Sequence, residues 1–331
     1  MPAVLMLLAS GVASCAEQDP ESFGIFTSTL DGNGMKRLIS DPSREMNHAR
    51  VSPDREWVTF TRYNKKGWDG VAVETNGYEE TEIMLMRLDG SELRSLVPAQ
   101  KDSFAANGQW TPDGKAILFV GRSPDEATEL RRYDLDSGKI TTVSGPKGMW
   151  LSEPHQVGTQ IVFPAQDPKH KKKNAVWVMN ADGSNQRQLT DPAPDKPFPV
   201  DFDPKLSPDG ATVAVMRRIG QDNWHIVLVD VGSGKEVDLS PPESVDGVPE
   251  WSSDGQLLIF WHVDPKDLHS SGFIYCASRR AGASARPADA RLFLHNAGFL
   301  PRRELPARHP DHLFRPEEPC DVTAAVGPTR G

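Results

Sequence analysis

The stretch KLSPDGATVAVM, Lys205 to Met216, joins a turn signal directly to a run of β-formers, and nearly the same phrase returns along the chain. ARVSPDREWVTF fills Ala49 to Phe60, GQWTPDGKAILF fills Gly108 to Phe119, and PEWSSDGQLLIF fills Pro249 to Phe260. A worn copy, PHQVGTQIVF, runs from Pro154 to Phe163. Each copy ends in alternating apolar residues, the pattern of a strand with one buried face. The Pro-Asp-Gly element supplies one fixed φ and then a residue that tolerates positive φ, which is tight-turn chemistry.

A second phrase alternates with the first: FGIFTSTLDGNGMKRLI, TEIMLMRLDGSELRSLV, TELRRYDLDSGKITTV, NAVWVMNADGSNQRQLT and WHIVLVDVGSGKEVDLS. Each copy reads strand, Asp/Gly turn, strand. The full unit is therefore four strands, A-B then C-D, recurring at about 45–50 residues, which is the signature of an all-β β-propeller. One four-stranded blade cannot bury both faces alone; packing against neighbouring blades buries them and leaves only short edges. Phe60, Phe119, Phe163 and Phe260 recur at one place in strand B and are expected in the core between blades.

WSSDGQLLIF and VWVMNADGSNQRQLT closely resemble the two half-motifs of the TolB-type propeller, the WD-like or PD40 repeat. The resemblance spans roughly Ser22 to Tyr275 and implies six blades, the last closed by the N-terminal strands. TolB proteins carry an α/β domain before the propeller; here only a few residues separate the leader from the first strand. The resemblance therefore implies a relative built on the propeller alone, over residues 16–275.

The chain has 331 residues with 28 Pro and 27 Gly, which suits a turn-rich all-β body. Its formal net charge of −9 argues against nucleic acid as a partner. The apolar run at residues 1–15, MPAVLMLLASGVASC, is too short to span a membrane and reads as a signal peptide, although it lacks a Lys or Arg before the apolar core. VASC, ending at Cys15, resembles a lipobox, which implies cleavage before Cys15, lipidation of its thiol and attachment to a membrane. The alternative is a plain signal peptide with a chance cysteine; both imply export to the periplasm or cell surface. The remaining cysteines, Cys276 and Cys320, lie near the C-terminus, so no disulfide framework is expected in the body.

Residues 276–331 read differently. They hold nine Arg and no Lys, are rich in Ala and Pro, and break the repeat in mid-blade. We read them either as a segment translated out of frame, or otherwise not a native continuation, or as a divergent last blade.

Topology sorts the loops. The A-B and C-D turns are short, alike and structural. The D-A and B-C loops form the other face, where binding usually sits on a rigid scaffold. Three B-C loops are distinctive: Tyr63 to Glu80, a segment with Lys169, His170, Lys171, Lys172 and Lys173, and one with His262 and His269. Four residues before successive Ser/Thr-Pro steps stand His48, Asn107 and Asp203, with Asn47, Glu153, His155, Asp201 and Asp246 near by. Convergence of these side chains on the channel mouth makes a candidate ligand pocket. A divalent cation is a possible occupant, with His48 and His155 as its first candidates. The bland reading is that the same groups satisfy strand-end backbone. Asp134 to Lys139, DLDSGK, is a C-D hairpin and not a calcium loop, since it lacks the length and the closing Glu. G-x-S-x-G, H-E-x-x-H, the phosphate-binding loop and paired C-x-x-C are all missing.

Three functions remain open. The leading one is an exported, lipid-anchored, non-enzymatic scaffold that binds an envelope protein or glycan. The others are a propeller enzyme, lyase- or hydrolase-like, with a site at the channel mouth, and the propeller part of an exported serine peptidase.

Overall fold

A computed structural model describes residues 5–7, 23–27, 36–41, 44–64, 81–100, 104–122, 128–143, 145–167, 174–191, 199–220, 223–240, 242–263, 272–277 and 293–295. These form strands, turns and loops, with no helix among them. Two compact units divide between Lys147 and Gly148.

In the first unit, β1 (Leu5–Leu7) pairs in parallel with β24 (Phe293–His295). The hairpin of β2 (Phe23–Thr27) and β3 (Lys36–Asp41) corresponds to the C and D strands of a blade. Blade one follows as β4 (Arg44–Val51), β5 (Trp57–Asn64), β6 (Glu82–Arg87) and β7 (Arg94–Val97), each antiparallel to the next. Blade two repeats this order with β8 (Phe104–Trp110), β9 (Ala116–Arg122), β10 (Glu129–Asp134) and β11 (Ile140–Val143).

In the second unit, strand A of blade three is broken into β12 (Trp150–Leu151) and β13 (His155–Val157), both paired with β14 (Gln160–Gln166). That blade continues with β15 (Asn174–Asn180) and β16 (Arg187–Gln188). Blade four is β17 (Val200–Leu206), β18 (Thr212–Arg218), β19 (Trp224–Asp230) and β20 (Glu236–Asp238). Blade five shows three strands, β21 (Val245–Trp251), β22 (Leu257–Val263) and β23 (Gly272–Ala277). The last of these reaches two residues beyond Tyr275.

Burial follows the repeat. Ile25 packs with Met46, Ala49, Val58 and Phe60, joining the β2–β3 hairpin to blade one. Ile83 and Leu85 of blade one pack with Trp110, Ile117 and Phe119 of blade two. In the second unit, valines of blades three and four form one cluster, and Ala214 and Ile226 of blade four meet Trp251, Leu258 and Phe260 of blade five in another. The recurrent Phe60, Phe119, Phe163 and Phe260 are all buried. Each such ring contributes about 1.5–3 kcal/mol of transfer free energy.

The A-B turns explain the Ser/Thr-x-Asp phrase. Ser52 Oγ donates to Asp54 Oδ1 at 2.5 Å and accepts the Trp57 N–H at 2.9 Å, while Asp54 Oδ1 also accepts the Glu56 N–H. Thr111–Asp113, Ser207–Asp209 and Ser252–Asp254 repeat the bracket at 2.6–2.7 Å. The residue after the aspartate has positive φ: Gly114, Gly210, Gly255 and, without a glycine, Arg55 at 66°.

Candidate functional site

Strand A carries a β-bulge at the same place in each blade. Its register shifts between Asn47 and Arg50, Ala106 and Gln109, Phe202 and Lys205, and Gly247 and Glu250. Two residues of strand A there face one residue of strand B: Phe60, Phe119, Val215 and Phe260 in turn. In blade three the same interruption separates β12 from β13. The first bulge residue always lies in the left-handed region, with φ of 51° at His48, 59° at Asn107, 42° at Glu153, 42° at Asp203 and 53° at Val248. Asn, Asp and His tolerate this conformation best, and a β-branched valine is a true outlier. Bulges of this kind re-aim a side chain and favour binding sites.

In the first unit the bulge residues are a histidine and an asparagine. His48 Nδ1 and Asn47 Oδ1 lie 2.7 Å apart, both side chains buried. The Asn107 N–H donates to Thr61 Oγ1 of blade one at 3.0 Å, and Asn107 Oδ1 is buried without a hydrogen-bond partner among the described residues.

In the second unit the bulge positions hold Glu153, Asp203 and Val248, with further carboxylates beside them. Glu153 Oε2 accepts the Asp203 N–H at 2.8 Å, so blade three holds the bulge of blade four. Asp203 is ion-paired with Lys205, both almost fully buried. Asp201, with no exposed side-chain surface, takes a two-pronged hydrogen bond from Arg217 at 2.6 and 3.0 Å, and Arg217 also binds Glu236. Burial works to lower the pKa of Arg217; the hydrogen bonds it donates to Glu236 and Asp201 override this and raise it above the ordinary value. Asp246, equally buried, binds His262 Nδ1 at 2.5 Å and Ser244 Oγ at 3.1 Å.

Of the residues expected from sequence, Asn47 and His48 therefore meet, as do Glu153 and Asp203. Asp201 and Asp246 occupy equivalent places in blades four and five. His155 has a backbone role, its Nδ1 accepting the Leu206 N–H at 3.0 Å. His48 and His155 belong to different units, and among the described residues no three of His, Cys, Asp and Glu gather as ligands for a cation. No helix among those residues is long and apolar enough to cross a membrane. Cys15, Cys320, His269, the Lys169–Lys173 run and most of the Tyr63–Glu80 loop lie outside the described residues.

Arg217 joins that set as the partner of Asp201, and His262, placed in a loop by the sequence, lies on strand B as the partner of Asp246; Lys205 and Val248 are additions. Aligned repeats hold the signal for the first two: Asp201 to Arg217 and Asp246 to His262 span the same 16 residues. Trp110 and Trp251 also recur, each donating its indole N–H to a carbonyl of the preceding blade, Arg50 O at 3.0 Å and Lys205 O at 2.9 Å.

Among solved structures, TolB from Acinetobacter baumannii matches with a TM-score of 0.61 at 15% identity, over 83% of this chain and 61% of that one. The fold is a TolB-type β-propeller. An oligogalacturonate lyase in complex with manganese matches this TolB-type propeller with a TM-score of 0.50 at 13% identity, over 81% of this chain and 74% of that one. A puromycin hydrolase matches with a TM-score of 0.47 at 16% identity, over 73% of this chain and 38% of that one. The chain thus spans 61% of the length of the Acinetobacter TolB, and at these identities the likeness is one of fold. No protein-family model and no curated protein matches the chain.

Proposed function

We propose that the chain is an exported, lipid-anchored propeller that binds an envelope protein or glycan through the bulges of its A strands. The observation that carries this reading is the repeated bulge. The A-B turns of four blades are closed alike, but the bulge residues differ from blade to blade: His48, Asn107, Glu153, Asp203 and Val248. A shared strained backbone with varied side chains is the pattern of a scaffold presenting a specific surface. Export and anchoring rest on residues 1–15 and Cys15.

The test uses the full chain expressed in a Gram-negative host. Labelling with a palmitate analogue is expected at Cys15 and lost in Cys15→Ser. Purified protein is then sedimented with peptidoglycan sacculi and, separately, with liposomes carrying extracted envelope proteins. Binding in one arm, reduced at least ten-fold in the His48→Ala/Asn107→Ala double variant, supports the reading. Binding unchanged by that variant, or none in either arm, contradicts it.

A further inference from the structure

The strand β11 (Ile140–Val143) is the outermost of blade two, and among the described residues only β10 pairs with it. Ile140, Thr141 and Thr142 are exposed. An open strand edge presents unpaired N–H and C=O groups, and proteins guard such edges with charge. The other D strands follow that rule: β3 carries Lys36 and Arg37, β7 Arg94, β16 Arg187, and β20 Glu236 and Asp238. In β11 the sequence is Ile-Thr-Thr-Val, all β-branched and none charged. Nothing on it repels an incoming strand.

The register of blade two shows which backbone groups stay open. The Asp134 N–H donates to Lys139 O at 2.9 Å, at the turn between β10 and β11. Pairing then continues as Tyr133 with Ile140, Arg132 with Thr141, Arg131 with Thr142 and Leu130 with Val143. Antiparallel pairs alternate between hydrogen-bonded and non-hydrogen-bonded. Thr141 and Val143 therefore bond to β10, and Ile140 and Thr142 turn their N–H and C=O groups outward.

We propose that this edge joins a second copy of the chain, β11 to β11, antiparallel about a two-fold axis at Thr141. Each Ile140 then faces Thr142 of the other copy in a hydrogen-bonded pair. Thr141 faces Thr141 in a non-hydrogen-bonded pair, where side chains lie closest. Identical strands meet in phase by symmetry, and such an isologous contact closes on itself. The strand carries no charge that would select a foreign strand of opposite sign. The same construction on β20 would set Glu236 against Asp238, carboxylate against carboxylate. An edge of 4 residues buries less than the ~1,200 Å² of a standard interface, so the pair is weak and forms with rising concentration.

The test is sedimentation velocity of the full-length protein from about 5 to about 500 µM, with amide exchange of β11 followed by nuclear magnetic resonance across the same range. A monomer–dimer equilibrium is expected. The Ile140 and Thr142 amides slow as it advances, about two-fold at half pairing, while Thr141 and Val143 stay unchanged. Thr141→Lys and Thr141→Glu each put like charges face to face and are expected to leave a monomer. Mixing the two variants opposes unlike charges and restores the dimer. Circular dichroism shows whether each variant is folded; should either unfold, Ile140→Pro, which removes only an outward N–H, carries the comparison with wild type. A wild-type monomer throughout, a dimer indifferent to position 141, a mixture that stays monomeric, or protection of Ile140 and Thr142 only on adding envelope-protein extract overturns the proposal.

Discussion

At the scale of single residues, the bulge is where sequence and structure meet most closely. His48, Asn107 and Asp203 stood out because they repeat at one distance from the Ser/Thr-Pro step, and all three have positive φ. The polar character of the column hid its fifth member, Val248, since nothing about a valine announces a left-handed backbone. That conformation costs an L-residue about 1–2 kcal/mol, and asparagine bears it more easily. Val248→Asn is therefore expected to raise stability by about 1 kcal/mol, read as a later midpoint in urea unfolding. An unchanged or earlier midpoint would show that valine is unstrained there. The partners of the buried carboxylates were legible only in part. Arg217 and His262 face Asp201 and Asp246 across the sheet because the bulge fixes the register, and register is not written in either strand alone. The indole bonds of Trp110 and Trp251 reach back 60 and 46 residues, beyond any local pattern.

Among elements, the turns were the most legible, because each is closed by residues adjacent in sequence. Their aspartates also set an acid limit. The Ser52 hydroxyl, then the Glu56 N–H, hold the Asp54 carboxyl below its ordinary range, and Thr111 with the Lys115 N–H does the same for Asp113. In the C-D turns Ser91, Ser137 and Ser184 act likewise on Asp89, Asp134 and Asp182. A carboxyl whose folded pKa is depressed contributes stability above its unfolded value, near 3.9 (about the ordinary aspartate value). That contribution is lost as pH falls through the lower folded value. Stability is thus expected to be flat from about pH 7 to 5 on account of these groups and to fall below about pH 4. Replacing Asp54, Asp113, Asp89, Asp134 and Asp182 together by Asn should flatten the acid limb while lowering stability at neutral pH. A limb of unchanged steepness in thermal melts from pH 6 to 2.5 would assign acid sensitivity elsewhere.

For the molecule as a whole, the repeat made the propeller readable because burial between blades demands the same residues each time, as Phe60, Phe119, Phe163 and Phe260 show. Function is under no such demand. The ligand of a propeller is set by side chains that vary between blades, here imidazole and amide at His48 and Asn107 and carboxyl groups at Glu153, Asp203, Asp201 and Asp246, and no short motif records their combination. The measurement that tests the central claim most directly is hydrogen exchange of the full chain with and without solubilised peptidoglycan fragments or envelope-protein extract. The account predicts slowed exchange around Asn47–Arg50, Asn107–Gln109 and Asp203–Lys205 in one of the two mixtures, with the A-B turns at Pro53–Glu56 and Pro208–Ala211 unchanged. Protection confined to those turns, or no protection in either mixture, would contradict it.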